Sequence, residues 1–412
     1  MKKLFSILLC LAMVLSMASV FAEEVSLTMG SWRIDDTAKV QAMLDKYAEL
    51  TGVKIKFEGT ASASYNANLR MQLSNGTGPD LWYSRSYKTG EELFADGFAM
   101  DVTDVPGVKE NFAESSLGAW KASTGEMFAV PFGAVSQVVY YNTRIFEANE
   151  LKVPTTWQEF IAVCEALKAK GITPLANGIK SKWDVLECVF LGMLPNYISG
   201  PEGRAPYETL EKSMDDEAFL AAVKDFAQLA PFLPEGFEAI ENNDSNAFFA
   251  TEQAAMLIDG SWSAGSIGEE FGLTTYGAFA LPAPEGKTPG ICFHADFAIA
   301  GNKATKHPEE VKAFLQWIAS PEGAQIAADA LPVGFFPMIV PSVQLSNELA
   351  NSILSLNEGK VTDVRFVWPK LIKAYEPMQD ELIKVWLGQT TPEEAVKVFA
   401  EAQKAALAEE TK

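Results

Sequence analysis

Histidine is nearly missing from this chain. Only His294 and His307 occur in 412 residues, and His307 stands before a proline at a predicted helix start. A Ser–His–Asp or Cys–His nucleophile would depend on His294, which has no supporting residue nearby in sequence. No Cys/His spacing suits zinc and no acidic loop follows the EF-hand pattern. No glycine-rich P-loop or dinucleotide fingerprint follows a strand. Catalysis is left with carboxylates, and among 54 acidic residues chance pairs are certain. No catalytic residue, metal or cofactor is therefore assigned.

Positive charge is also scarce: 33 Lys and Arg against 54 Asp and Glu, a net charge of −21. A chain this acidic repels phosphate backbones, which argues against nucleic acid as a partner. Cysteine is sparse as well. Beyond Cys10, only Cys164, Cys188 and Cys292 remain, and an odd number excludes full pairing. One bridge stays open, but Cys164 falls on the apolar face of a predicted helix, where a buried free thiol is expected. Long apolar runs are missing beyond the first residues, so no later segment is expected to span a bilayer.

What the chain does have begins with an export signal. Lys2 and Lys3 precede an apolar stretch from Leu4 to Leu15, and Val20-Phe21-Ala22 offers a cleavage site after residue 22. Cys10 lies inside the apolar run after Ile7-Leu8-Leu9, whereas a lipidation site wants a small residue before the cysteine. A cleaved, unanchored chain in a periplasm is the expectation.

The remaining length exceeds what one core usually supports, so two domains are expected. Apolar residues make up 48% and charged residues 21%, an ordinary globular balance. Val25 to Met29 reads as a strand. A helix opened by Asp35-Asp36 follows, with Val40, Met43, Leu44, Tyr47 and Leu50 on one face. Val53 to Phe57, a helix over Tyr65 to Leu73, and Asp80 to Tyr83 continue the strand–helix alternation of a parallel, doubly wound lobe. Trp32, Arg33, Ser84 and Arg85 then share one edge.

Further on, Ser136 to Tyr141 and Ile291 to Ala300 read as strands. Thr156 with Glu159 forms a capping box, and residues 199 to 207, with two glycines and two prolines, read as a surface loop. Helices are expected from His307-Pro308, burying Val311, Phe314, Leu315 and Ile318, and from Thr391-Pro392, burying Val396, Phe399 and Ala402. Gly125 to Gly133 reads as a turn, a strand and a crossing, the Pro-rich Leu281 to Gly286 as a second crossing, and Leu331 to Gly334 as a candidate third.

The stretch from Ala247 to Trp262 organises the rest: a helical turn with Phe248 and Phe249, a buried strand from Ala254 to Ile258, a break at Gly260-Ser261, and Trp262 beyond the strand's carboxyl end. Ligands of open α/β sheets bind there. An indole offers a platform for the C–H face of a pyranose, while a core indole at a strand end is the plainer alternative. Trp82, Trp120, Trp157, Trp317 and Trp386 are expected in cores. Trp32, Arg33, Ser84, Arg85, Trp183, Trp262 and Asp296 concentrate aromatic and hydrogen-bonding groups at strand ends or loops. Tyr375 and Trp368 are candidates from the far lobe. Stacking platforms with planar donors and acceptors suit a neutral polyhydroxylated ligand.

Four segments carry a resemblance: Asn75-Gly76-Thr77-Gly78-Pro79-Asp80-Leu81; Gly125 to Phe132 with Tyr140-Tyr141-Asn142; Val153 to Phe160 with Gly171-Ile172-Thr173-Pro174; and Phe248 to Trp262. In this order they resemble the family-1 extracellular solute-binding proteins of carbohydrate ABC transporters, the maltodextrin-binding type. The resemblance implies two α/β lobes, 23–132 plus 283–332 and 133–282 plus 333–412, joined by three crossings near 131–137, 278–284 and 331–337, that close on a mono- or oligosaccharide. It implies a monomeric, non-enzymatic receptor that meets permease subunits at the membrane. It also implies Trp262 as a stacking residue, with Ser84 and Arg85 near sugar hydroxyls. Near Val135 the maltodextrin type carries an acidic ligand residue that is absent here. Two rivals remain: the same fold holding a polyamine through Asp35, Asp36, Glu58 and Asp80, or an exported glycan-cleaving enzyme with paired carboxylates.

Overall fold

The computed structural model describes residues 25–34, 37–112, 114–339 and 343–410. The leader, with its cleavage site and Cys10, lies outside the described residues, as do Asp35 and Asp36.

Alternating apolar residues place β1 (Ser26–Ser31) with Leu27, Met29 and Ser31 buried. It pairs in parallel with β2 (Lys54–Gly59) and with β3 (Leu81–Arg85). The helix Thr37–Thr51 packs Val40, Met43, Leu44 and Tyr47 inward, but Leu50 is 59% exposed, at the rim of the apolar stripe. Tyr47 meets Phe314 edge-on at 5.0 Å, joining this helix to Pro308–Ile318, whose Val311, Phe314, Leu315 and Ile318 are all buried. Each such side chain contributes roughly 1.5–3 kcal/mol on burial.

Two long strands link the halves. β4 (Val130–Asn142) pairs through 130–136 with β8 (Gly290–Gly301) and through 137–141 with β6 (Ala254–Gly260). The sequence predicts a strand and a crossing up to Gly133 and a second strand from Ser136 to Tyr141. The structure keeps one strand and absorbs Pro131 and Gly133 in register shifts at 131–134. Proline cannot donate to a ladder and is tolerated at such a bulge. Gly133 is required there because a Cβ would stand 2.6 Å from the Phe297 ring.

The sheet order is β2-β1-β3-β8-β4-β6-β5, with β5 Thr173–Leu175, β7 (Tyr276–Phe279) on β4 and β9 (Val361–Asp363) on β8. One apolar cluster gathers Leu27, Tyr83, Phe128, Phe297 and Phe314. A second gathers Trp157, Phe190, Phe219, Phe226, Trp386 and Phe399, beside a smaller third around Tyr140 and Phe249. Two α/β bodies result.

The Pro-rich segment expected as the second crossing stays with the second body. Leu281 lies in its core, the Ala283 carbonyl accepts from Trp157 N at 2.9 Å, and Glu285 N donates to Gln158. The chain changes body inside β8 instead, where Ala295 and Phe297 enter the first core. Phe335 and Ile339 also remain with the first core, while Phe336 turns to the third cluster and exchanges backbone hydrogen bonds with Ala134 at 2.8 and 2.9 Å.

The loop expected at 199–207 is two short helical turns, Gly200–Arg204 and Ala205–Glu208. They are pinned by Arg204, which pairs with Glu208 and with Asp363 at 3.0 Å. A local i,i+4 pair and one long-range pair, Arg204–Asp363, together override the turn signal. Thr156 accepts from Glu159 N at 3.2 Å, and the Glu159 carboxylate reaches back to Thr155 N at 2.7 Å and, more weakly, to Thr156 N. Cys164, Cys188 and Cys292 are buried free thiols. Trp82, Trp120, Trp157 and Trp386 are buried, while Trp317 is half-buried.

Candidate ligand-binding cleft

A cavity of about 810 Å³ opens between the bodies, within the range of small-molecule sites. Strand ends build its first wall. Ser31 Oγ accepts from Arg33 N at 2.9 Å and shapes the turn after β1. Trp32 then packs edge-on against Tyr65, Tyr83 and Phe297 at 5.6–5.8 Å and is only 7% exposed. The Arg85 guanidinium lies 3.7 Å over the Trp32 ring, and Nη2 donates to Ser62 Oγ at 3.2 Å. Trp32 thus serves as a bed for Arg85. Burial lowers the Arg85 pKa, an effect that Asp296 opposes. Arg33 lies 4.3 Å over Phe335.

The second wall holds three half-buried indoles. Trp183 and Trp262 stand 6.0 Å apart at 44°. Arg365 sits 5.2 Å from the Trp262 ring and 5.4 Å from that of Trp368. Arg365 is also the centre of a buried charge cluster, pairing with Glu187 at 2.9 Å and with Asp296 at 3.3 Å. Burial opposes its charge, but the two carboxylates outweigh it and raise the guanidinium's pKa. Tyr375 OH donates to Glu187 Oε1 at 2.6 Å, and burial together with Glu187 raises the phenol's pKa. Behind them His294 is wholly buried, with Nδ1 accepting from Arg365 N at 3.4 Å and Nε2 against Ser86 Oγ at 3.3 Å. Burial and then Arg365 hold its pKa well below the usual value, so it stays neutral. It links Ser86 to the Arg365 backbone.

A third group lines the cavity from the helix Asn242–Ala250 and the turn after β6. Asn242 Nδ2, Asn246 Nδ2 and Ser263 Oγ all donate to Oδ2 of the buried Asp259, at 3.1, 3.0 and 2.8 Å.

The structure therefore brings Trp32, Arg33, Arg85, Trp183, Trp262, Asp296 and Tyr375 to one cavity. Ser84 is not among its lining residues. It is 2% exposed and bonds the Arg85 carbonyl, because alternation along β3 turns it beneath Gly90, where a Cβ would stand 2.8 Å from its Oγ. Of the carboxylates weighed for a polyamine, Asp80 is spent on Thr28 and Thr305, and Glu58 pairs with Lys56 away from the cleft. Sequence reading missed Glu187, Asn242, Asn246 and Arg365. A lone Glu187 within the apolar run Val185 to Phe190 was a signal, since a buried carboxylate needs a partner. Arg365 stands in no recognisable pattern. Among the described residues no group of three or more His, Cys, Asp or Glu could hold a metal ion, and no helix is long and apolar enough to cross a membrane.

Two α/β bodies sharing two long strands, with an aromatic and polar cleft between them, define a ligand-trapping binding protein. Residues 31–325 match the bacterial extracellular solute-binding protein model, and the chain belongs to that family. It is similar to a multiple sugar-binding protein of Streptococcus mutans, 27% identical over 59% of this chain and 58% of that protein. It is also similar to an osmoprotective compounds-binding protein of Synechocystis, 28% identical over 35% of this chain and 34% of that one. The chain thus aligns with about a third to somewhat over half the length of these relatives. In fold it matches the bacterial solute receptor AcbH, described as having an exclusive preference for β-D-galactopyranose, with a TM-score of 0.80, 19% identity, and coverage of 94% of this chain and 99% of that one.

Proposed function

We propose that this chain is the extracytoplasmic substrate-binding component of an ABC importer, capturing a mono- or oligosaccharide between its lobes without altering it. The observation that carries this reading is the cluster of Trp183, Trp262 and Trp368 beside Arg365, Glu187 and Asp296 in one cavity. Indole faces take the apolar face of a sugar ring, and planar charged groups pair with adjacent hydroxyls. Arg33, Arg85, Arg365 and Lys373 stand against Glu187, Asp296 and Glu376 in the lining, a near balance of opposite charges that suits a neutral guest. The names of the sugar-binding relative and of the galactose receptor point the same way.

Residues from both bodies meet at the cavity, so a bound sugar stabilises the closed arrangement by its difference in affinity for the two states. A monomer, exported to the periplasm through a cleaved leader, would present that closed form to the permease subunits. A thermal-shift screen of saccharides and polyamines tests the reading. A sugar at 100 times its dissociation constant adds about 2.7 kcal/mol. Stabilisation by polyamines and by no sugar, or release of reducing ends from a glycan, would overturn it.

A further inference from the structure

We propose that Asn246 makes the cleft select a guest carrying a hydrogen-bond donor, a free hydroxyl, at one position, and that the buried Asp259 is the positioning residue that enforces this. The inference rests on the saccharide reading above. Asn246 lines the cavity yet is 3% exposed. Its Nδ2 donates to the Asn242 carbonyl at 3.0 Å and to Asp259 Oδ2 at 3.0 Å, which uses both amide hydrogens. Turning the amide over would set Oδ1 against two oxygens, so the hydrogen-bond network fixes its orientation. Oδ1 is then left buried with no partner. Such an acceptor is unfavourable until a donor reaches it.

Asp259 extends the same polarity along the wall. It is wholly buried, and Asn242 Nδ2 and Ser263 Oγ also donate to its Oδ2. Three cavity-wall groups thus turn hydrogens inward. The orphan donors lie elsewhere in the cleft: Arg85 Nε, Arg365 Nε and Trp368 Nε1 are buried without partners. Donors in one part and an acceptor in another call for groups that do both, as hydroxyls do. An ether, a glycosidic oxygen or a fluorine accepts only, so it fits beside the arginines and fails opposite Asn246.

The test uses the full chain with galactose, glucose, mannose and xylose, each offered as the free sugar and as its set of monofluoro-deoxy analogues, by calorimetry. In the wild type, at least one position of the sugar that binds should lose at least about tenfold in affinity on fluorination, and the position opposite Asn246 is the one whose loss depends on that residue rather than on the carboxylates of Glu187 and Asp296. Asn246→Leu should weaken the parent sugar by about as much and level that difference. Asp259→Asn should level it too, by freeing the amide to turn. A purely structural role for Asp259 would weaken parent and analogue alike. No fluorine-sensitive position in the wild type, or an unchanged parent-to-analogue ratio in Asn246→Leu, overturns this inference alone. If no saccharide of the thermal-shift screen, oligosaccharides included, stabilises the chain, the function proposed above falls as well. The wild-type scan decides even if Asp259→Asn does not fold.

Discussion

The Trp262 indole lies across Gly260: a Cβ at 260 would stand 2.1 Å from two of its ring carbons. The glycine is there for close approach, since its φ is not among the positive values. Gly260→Ala should displace the ring and weaken sugar binding by at least about tenfold, about 1.4 kcal/mol. Trp262→Ala should weaken it by a similar amount with little loss of fold. Because both changes act through one ring, the double variant should bind no more weakly than Trp262→Ala alone. Calorimetric titration of the three variants checks this, and additive losses would place Gly260 outside the platform.

Arg365→Met should destabilise the fold by about 3–5 kcal/mol, because Glu187 and Asp296 would be left buried without their cation. Adding Glu187→Gln should restore part of that loss. Urea unfolding monitored by circular dichroism measures both.

Asp184 gives the chain a pH dependence. Burial, and then the nearby Asp259 carboxylate, push its carboxyl up from 3.8 to about 7. Between these values the folded state holds a proton that the unfolded chain has released. Stability from this group therefore falls as pH rises from about 4 to about 7 and is level above that, by about 1.4 kcal/mol per pH unit at most. Asp184→Asn should flatten the melting temperature across that window. A wild-type profile of the same shape as the variant's would refute the assignment.

Ser261 ties Gly334 to β4. Its Oγ accepts from Ser136 N at 3.0 Å and donates to the Gly334 carbonyl, and Tyr140 OH donates to the Gly260 and Ser261 carbonyls at 3.0 and 2.9 Å. Ser261→Ala should cost about 1–3 kcal/mol through the groups it leaves unpaired. It should also change the size difference between the sugar-free and sugar-bound chain, which X-ray scattering reads.

Much of this was legible before any coordinates. The helix burying Val311, Phe314, Leu315 and Ile318 follows from its period. The strand ending before Trp262 follows from a short apolar run closed by Gly260-Ser261. Where turn residues were taken at face value the reading erred. Pro131 and Gly133 sit inside a strand, and residues 200–208 are helical, because partners far along the chain supply what local preference lacks. Ser84 was expected beside Arg85 at the strand-end edge and lies outside the cavity lining, since neighbouring residues of a strand point to opposite faces and the sequence does not say which face meets the cavity.

Apolar periodicity and strand-end chemistry, being properties of neighbouring residues, were enough to read one doubly wound lobe and to bring Trp183, Trp262 and Arg85 under suspicion; chain length called for a second domain, and the family resemblance implied its α/β form. The tertiary structure alone decided that Arg365 meets Glu187 and Asp296, that Asp259 holds Asn242, Asn246 and Ser263, and that the chain changes body within β8. Those contacts join segments far apart in sequence. Their energies exist only once packing has removed water from around the charges.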